Sequence, residues 1–213
     1  MAAADATLPT GAPRYWGVAK AHLRSVDPIV GGYIDRHEEP PLEGKGRLFE
    51  TLVHSIVGQQ ISARAADAIW GRVEALVGAF EPSRFDTVGD DALRGAGLSG
   101  RKVEYIRGIV RQAPTLNAIP WSTMDDQRVR QTLCTLRGIG PWTADMVLIF
   151  CFLRPDVLPL GDVGVVRVME RAFGGGGRLS VEAMARIGDR WRPYRSVATW
   201  YLWRSLDPEP VEY

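Results

Sequence analysis

Apolar residues recur along most of this chain at intervals of three and four, the spacing of α-helices with one buried face. The clearest case is 48–57, where the apolar residues all fall on one side of a helix. No segment alternates apolar and polar residues with a period of two, as a half-buried strand would. The predicted fold class is therefore all-α. Further helices are predicted at 15–24, 29–36, 63–77, 90–94, 101–112, 125–136, 143–153, 162–173, 181–191 and 194–205. Asp27, Ser62, Ser99 and Ser180 are predicted N-caps of the helices that follow them.

Proline and glycine interrupt this pattern and divide the chain. Residues 38–46 and the four consecutive glycines at 174–177 are predicted loops, and Pro114 is expected to lie in a loop after the helix at 101–112. We predict a disordered tail at 1–13, a loose tail after 207 and one helical unit at 14–213. Within that unit we expect a central lobe at roughly 47–160 and a second lobe made of 14–46 and 161–213.

The composition is that of an ordinary globular protein, with 46% hydrophobic and 24% charged residues. No apolar run reaches the roughly 18 residues needed to span a membrane, and residues 1–13 lack the basic start of a secretory signal. We therefore expect a cytoplasmic protein. The two cysteines, Cys134 and Cys151, are too few for a zinc or iron–sulfur site.

The charges are unevenly divided between the two halves of the chain. Residues 1–100 contain 10 Lys and Arg against 13 Asp and Glu, whereas residues 101–213 contain 16 against 12. Chance can produce such a difference. The functional interpretation is a basic face, built mostly by the second half, that binds a polyanion.

The segment 136–144, Leu-Arg-Gly-Ile-Gly-Pro-Trp-Thr-Ala, organises the rest of the chain. Gly138 and Gly140 permit backbone angles that other residues resist, and Pro141 suits the first turn of a helix. These features predict two helices joined by a Gly-x-Gly hairpin. N–H groups at the start of the second helix form an anion site, and a DNA phosphate is such an anion. An ordinary turn between two helices is the alternative.

This string, followed by Leu-Pro-Leu-Gly-Asp at 158–162, resembles the helix-hairpin-helix (HhH-GPD) DNA glycosylase superfamily. The chain is similar to its 3-methyladenine DNA glycosylase II branch from about residue 47 to residue 203. The resemblance implies a two-lobed helical fold in its compact form, without the N-terminal β-rich domain of some members. It also implies damaged double-stranded DNA as the partner, and we expect a monomer with no obligate protein partner.

Asp162 matches the catalytic aspartate of this family. Breaking a base–sugar bond leaves an oxocarbenium-like sugar, and one fixed carboxylate can stabilise that charge and orient a water. A helix N-cap is the alternative role, and the two roles are compatible. Asp156 is the one rival nearby, in a predicted surface turn. Strand-nicking relatives carry a Schiff-base lysine two residues after the second hairpin glycine, where this chain has Trp142, so we expect a monofunctional glycosylase without lyase activity.

The resemblance assigns further residues by position. For the two assigned tryptophans, Trp142 and Trp203, the alternative role is core packing. For the pair Gln59 and Gln60, the alternative is a solvated connection between two helices. Gln60 matches the wedge that fills the gap left by an extruded base. No cofactor or divalent ion is expected, although main-chain carbonyls of the hairpin can hold Na⁺ or K⁺. The base pocket is assigned to Trp142, Trp203, Met146 and Val163; DNA contacts to Gly138, Gly140, Thr143, Gln59, Gln60, Lys102 and Arg195; and the cation to the carbonyls of Cys134, Leu136 and Ile139.

Three functional hypotheses follow. The first is a glycosylase that removes alkylated bases by base flipping in base excision repair. The second is a helix-hairpin-helix protein that binds DNA or senses lesions without catalysis, in which Asp162 only caps a helix. The third is a glycosylase for another damaged base. Met146 and Val163 stand where aromatic residues can occur in the family, which leaves the substrate range open.

Overall fold

A computed structural model describes residues 8–37 and 41–206 of the chain. These residues form twelve α-helices, a short 3-10 helix, a π-helical turn and a two-stranded sheet, which confirms the all-α fold class. The strands are β1 (Thr10–Gly11) and β2 (Gly44–Lys45). The helices are α1 (Trp16–Val26), α2 (Pro28–Arg36), α3 (Leu48–Gly58), α4 (Ala63–Val77), α5 (Pro82–Asp86), α6 (Asp90–Gly95), α7 (Gly100–Asn117), α8 (Asp126–Leu133), α9 (Pro141–Met146), α10 (Val163–Phe173), α11 (Val181–Asp189) and α12 (Arg195–Arg204). The 3-10 helix is Trp121–Thr123 and the π-helical turn is Val147–Cys151.

The small sheet lies where the sequence predicts no strand. Thr10 pairs with Lys45 and Gly11 with Gly44, in antiparallel register. Strands of two residues are too short to produce an alternating pattern, which is why the sequence carries no signal for them. The structure thus corrects the predicted disordered tail at residues 10 and 11. The first seven residues of the predicted disordered tail and the predicted loose tail after 207 lie outside the described residues.

Side-chain caps begin many of the helices, as the sequence predicts. Each predicted cap accepts a hydrogen bond from a backbone N–H in the first turn of its helix, which satisfies a donor that the helix itself leaves unused. The confirmed caps are Asp27 for α2, Ser62 for α4, Ser99 for α7, Asp162 for α10 and Ser180 for α11.

Residues 47–147 form one compact unit, in which α3 packs against α4, α7 and α9. Apolar side chains form its core, including the fully buried Phe85 of α5 and Ile106 of α7. Arg107 of α7 makes three hydrogen bonds to the preceding segment. Its Nε donates to the Asp90 carboxylate at 2.9 Å, and its guanidinium also donates to the carbonyls of Phe85 and Val88. The long helix α7 is thereby tied to the segment that contains α5 and α6.

Helix α7 extends beyond its predicted end. Pro114 lies inside it, although a proline removes one helical hydrogen bond. Ala113 and Leu116, on either side of the proline, are buried. The indole Nε1 of Trp121 donates to the Leu116 carbonyl at 2.9 Å. Tertiary packing therefore overrides the local signal that predicts a loop at Pro114.

Among the described residues, the second unit consists of 9–37, 41–46 and 148–206. Helix α12 packs against α10, α2 and α1, and its residues 196–204 are all buried. Asp27, 1% exposed, caps α2 and also accepts the indole N–H of Trp191 at 2.8 Å. This buried carboxylate links two parts of the unit that are distant in the sequence.

The apolar segment predicted as one helix at 143–153 is interrupted. Helix α9 ends at Met146, and the π-helical turn Val147–Cys151 follows it. Leu153 then adopts a positive φ of 48°, and the N–H of Arg154 returns to the Leu148 carbonyl at 2.8 Å. Apolar periodicity locates the buried segment but does not distinguish α from π geometry.

Across the described residues, no helix combines the length and the apolar character that a membrane span requires.

Candidate functional site

The predicted hairpin connects α8 and α9. Gly138 has a φ of +90°, in a region that residues with a side chain rarely adopt, and a Cβ placed there would lie 2.3 Å from ring atoms of Tyr105. The N–H of Ile139 donates to the Leu136 carbonyl at 3.0 Å and closes the turn. Both the backbone angle and the neighbouring ring therefore require glycine at position 138.

The second half of the hairpin is a helix start. Gly140 is the N-cap of α9 and Pro141 is its first residue. The first bond within the helix runs from the N–H of Ala144 to the Gly140 carbonyl at 3.0 Å. The N–H of Thr143 lies one residue earlier, in the first turn, where a helix provides no internal acceptor. Helix geometry therefore directs this N–H toward an external acceptor. Thr143 as a whole is 1% exposed, so its side chain is not suited to contact DNA, and a DNA contact through its N–H stays a prediction.

Gln59 and Lys102, predicted DNA contacts, have partners inside the unit of residues 47–147. The side-chain amide of Gln59 donates to the Gly138 carbonyl at 2.9 Å and to the Thr143 hydroxyl at 3.2 Å. The ammonium of Lys102 donates to the carbonyls of Val57 and Gln59 at 2.8 and 2.9 Å. The predicted contacts to DNA stay predictions, but the structure gives both side chains an internal role.

Gln60, the predicted wedge, is exposed and has a φ of 62°, an uncommon conformation for a residue other than glycine. The next residue, Ile61, is also exposed, at 37%. Side chains inserted between base steps are usually apolar, so Ile61 is a further candidate for this contact. Sequence reasoning missed it because exposure of a single apolar residue leaves no periodic signal.

The predicted catalytic carboxylate lies in the other unit, half-buried at the start of α10. Oδ1 of Asp162 accepts the N–H of Val165 at 2.9 Å, which is the N-cap interaction. The same oxygen accepts the indole N–H of Trp203 at 2.9 Å. Two donors on one oxygen fix the orientation of the carboxyl group.

Aromatic packing fixes Trp203 in turn. The residue is 8% exposed, and its ring stacks on Phe150 with 5.6 Å between centroids and an interplanar angle of 16°. A Cβ at Gly164 would lie 3.1 Å from Oδ1 of Asp162 and 3.4 Å from Cδ1 of Trp203, so a small residue there leaves room for both. Phe150 and Gly164 were not found from the sequence, because these contacts join segments that are distant along the chain.

The four predicted pocket residues differ in exposure. Trp203 is buried and Val163 is 73% exposed, both in the unit that contains Asp162. Trp142 is half-buried and Met146 is completely buried, both in the unit of residues 47–147. A pocket shared by these four side chains stays a prediction.

Arg195, another predicted DNA contact, is held by Asp156. Its Nε lies 2.6 Å from one carboxylate oxygen, and it also donates to the other oxygen at 3.1 Å and to the Asp156 main chain at 2.9 Å. Arg192 adds an ion pair of 2.6 Å to the same carboxylate. Asp156, the alternative candidate to Asp162 for the catalytic carboxylate, thus forms ion pairs with two arginines.

The carbonyls predicted to hold a monovalent cation belong to the hairpin turn. The Leu136 carbonyl accepts the N–H of Ile139, and a carbonyl oxygen has a second lone pair for an ion. Partial desolvation, followed by the charge of Asp145, raises the pKa of the Cys134 thiol, and the cation contact through its carbonyl stays a prediction. Residues 8–37 and 41–206 contain no cluster of three or more His, Cys, Asp or Glu suited to a metal ion.

A helical chain with a Gly-x-Gly hairpin and a carboxylate fixed at a helix start is of the helix-hairpin-helix DNA repair class. The family model for the HhH-GPD superfamily base excision DNA repair protein matches residues 53–193, and the chain belongs to this family.

Three known proteins illustrate the relationship. YfjP of Bacillus subtilis, provisionally named a DNA-3-methyladenine glycosylase, is 29% identical over 84% of this chain and 66% of its own length. DNA-3-methyladenine glycosylase 1 of Schizosaccharomyces pombe is 28% identical over 88% of this chain and 86% of its own. A DNA-3-methyladenine glycosidase from Bacillus halodurans, known from a crystal structure, has 37% sequence identity to this chain. The match covers 88% of each chain, with a TM-score of 0.71.

Proposed function

We propose that this protein is a DNA glycosylase that hydrolyses the N-glycosidic bond of alkylated bases in double-stranded DNA. The observation that carries the proposal is the carboxylate of Asp162, fixed by Val165 and Trp203 at the start of α10 in a chain of the HhH-GPD family. The names of its relatives favour 3-methyladenine and similar methylpurines as substrates. The product is an abasic site in base excision repair.

The chemistry needs one carboxylate and one water. The base is first turned out of the duplex, since its glycosidic bond is otherwise inaccessible. As the C1′–N bond breaks, the electron pair leaves with the base and positive charge develops on the sugar. Asp162 stabilises that charge, and a water attacks C1′ and gives up its proton to the Asp162 carboxylate, which then releases it to solvent. A methylated purine carries positive charge, so it leaves as a neutral base without protonation by the enzyme.

The hairpin supplies the anchor on the DNA backbone in this proposal. The N–H groups of Gly138, Gly140 and Thr143 bind a phosphate at the start of α9. The carbonyls of Cys134, Leu136 and Ile139 would hold Na⁺ or K⁺, which would supply positive charge to attract the phosphate. No step of base release requires a divalent metal.

Aromatic side chains supply the attraction for a cationic base. The face of an indole ring attracts positive charge, and Trp203 is held in place by its stack on Phe150. Trp142 stands where strand-nicking relatives carry a lysine, and it supplies no amine for a Schiff base. The protein is therefore monofunctional and leaves the DNA strand intact.

The direct test is release of free base from duplex DNA treated with a methylating agent, resolved by chromatography, in buffer with a chelator. We expect methylpurines to appear in the soluble fraction and the DNA to retain uncleaved abasic sites. The matched control is the same DNA without methylation. Release no greater than in the protein-free reaction, with DNA binding intact, would overturn the proposal and leave a binding protein.

A further inference from the structure

Two polar side chains connect three segments of the unit of residues 47–147. Lys102 lies in the first turn of α7 and donates from its ammonium to the carbonyls of Val57 and Gln59, at the end of α3. Gln59 donates from its side-chain amide to Gly138 and Thr143 of the hairpin. The end of α3 is therefore bound to α7 on one side and to the hairpin on the other.

The segment held in this way is the turn that leads into α4. Gln60 has a φ of 62°, which is unfavourable for a residue with a Cβ atom. The carbonyl that precedes it, that of Gln59, is an acceptor of Lys102. Such a backbone persists where the surrounding contacts determine it. Gln60 and Ile61 are both exposed beyond this support.

The Lys102 ammonium is bound to main-chain atoms of the protein itself. A lysine that only binds DNA phosphates has no need of internal partners, yet this ammonium uses two of its three donors on main-chain carbonyls. Burial lowers the pKa of Lys102, so its position has a desolvation cost. The two hydrogen bonds to carbonyls offset that cost.

We propose that Lys102 and Gln59 are positioning residues that fix the exposed turn Gln60–Ile61 to the hairpin. With the hairpin on a phosphate, the turn then enters the duplex at a set distance from that anchor and occupies the space of the extruded base. This inference rests on the proposed glycosylase function. It assigns Lys102 and Gln59 to the base-extrusion step, and neither touches the reacting atoms.

The test separates base extrusion from chemistry with two DNA substrates. One contains a methylated purine paired in a duplex, and the other contains the same base in a single-nucleotide bulge, where extrusion costs little. Single-turnover excision rates are measured with saturating protein. Lys102→Met keeps the apolar stem and removes the donors, and we expect it to slow excision of the paired base by about tenfold and of the bulged base by less than about twofold.

The matched control is Arg101→Met, which removes a positive charge from the neighbouring exposed side chain and should leave both rates unchanged. Lys102→Arg retains the charge and donors and should recover most of the lost rate. Gln59→Glu, which replaces the amide donor with a carboxylate acceptor, should repeat the pattern of Lys102→Met and provides a second variant if that protein fails to fold.

The outcomes are distinguishable. Equal slowing on the paired and bulged substrates, or no slowing on either, would overturn the inference while leaving the glycosylase function intact. Failure of the wild-type protein to release either base would overturn the proposed function, and the inference with it.

Discussion

The indole Nε1 of Trp203 donates a hydrogen bond to Oδ1 of Asp162 at 2.9 Å. These residues are 41 positions apart in the sequence, and each has a second restraint: Asp162 caps α10 and Trp203 stacks on Phe150. A carboxylate fixed before the substrate arrives needs no reorganisation as positive charge develops on the sugar, which is how preorganised groups lower a barrier. We interpret the pair as the catalytic centre of the proposed glycosylase.

Trp203→Phe tests this pairing. The phenyl ring can still stack on Phe150, but the N–H donor to Asp162 is lost, so the carboxylate becomes less well oriented. We expect the single-turnover excision rate at saturating protein to fall by about tenfold with DNA affinity nearly unchanged.

The control for this variant is Trp200→Phe in the same helix. The buried indole Nε1 of Trp200 has no hydrogen-bond partner among the described residues, so this change removes ring area without a donor contact. Equal losses of rate in the two variants would show that ring size, and not the hydrogen bond, matters at Trp203.

Gly138→Ala tests the geometry of the hairpin. The new methyl group would collide with the ring of Tyr105, and the φ of +90° would be strained. We expect a loss of about 2 kcal/mol in the free energy of unfolding, measured by urea denaturation, together with weaker DNA binding. Gly108→Ala, in the interior of α7 with open space around it, should instead increase stability by about 0.5–1 kcal/mol. Destabilisation of the same size in both would count against the hairpin explanation.

Asp27→Ala tests the buried link of the second unit. It removes the cap of α2 and leaves the indole N–H of Trp191 without its acceptor, so we expect a loss of about 3 kcal/mol. Asp125→Ala, which removes only the exposed cap of α8, should cost about 1 kcal/mol. Thermal or urea unfolding gives both values, and similar values would show that the contact between Asp27 and Trp191 adds nothing beyond capping.

The expected absence of lyase chemistry has a separate test. Borohydride reduces a Schiff base to a stable covalent complex between protein and DNA, and Trp142 supplies no amine to form one. We expect no trapped complex during base release, and strand breaks only after alkali cleaves the abasic sites. A borohydride-dependent complex with the wild-type protein would show that another amine acts in place of the missing lysine.

Much of this molecule could be predicted from local sequence. Apolar periodicity located the helices, and cap chemistry placed the starts at Asp27 and Asp162, because both signals depend on residues within a turn or two of each other. Pro114 misled the prediction, since distant packing compensates for its missing hydrogen bond. The contact between Gln59 and Gly138 spans 79 residues, and no local pattern records such a pairing.

The central claim is that the carboxylate of Asp162 carries out base release. Asp162→Asn is the direct test, because the amide oxygen can still accept the N–H groups of Val165 and Trp203 while the negative charge is lost. Release of methylpurines from methylated duplex DNA is compared with that of the wild type and of Asp125→Asn, which makes the same change at an exposed cap. We predict a loss of at least about a hundredfold for Asp162→Asn, with DNA binding and thermal midpoint retained, and no loss for Asp125→Asn. Base release by Asp162→Asn at the wild-type rate would contradict the account and reduce Asp162 to a helix cap.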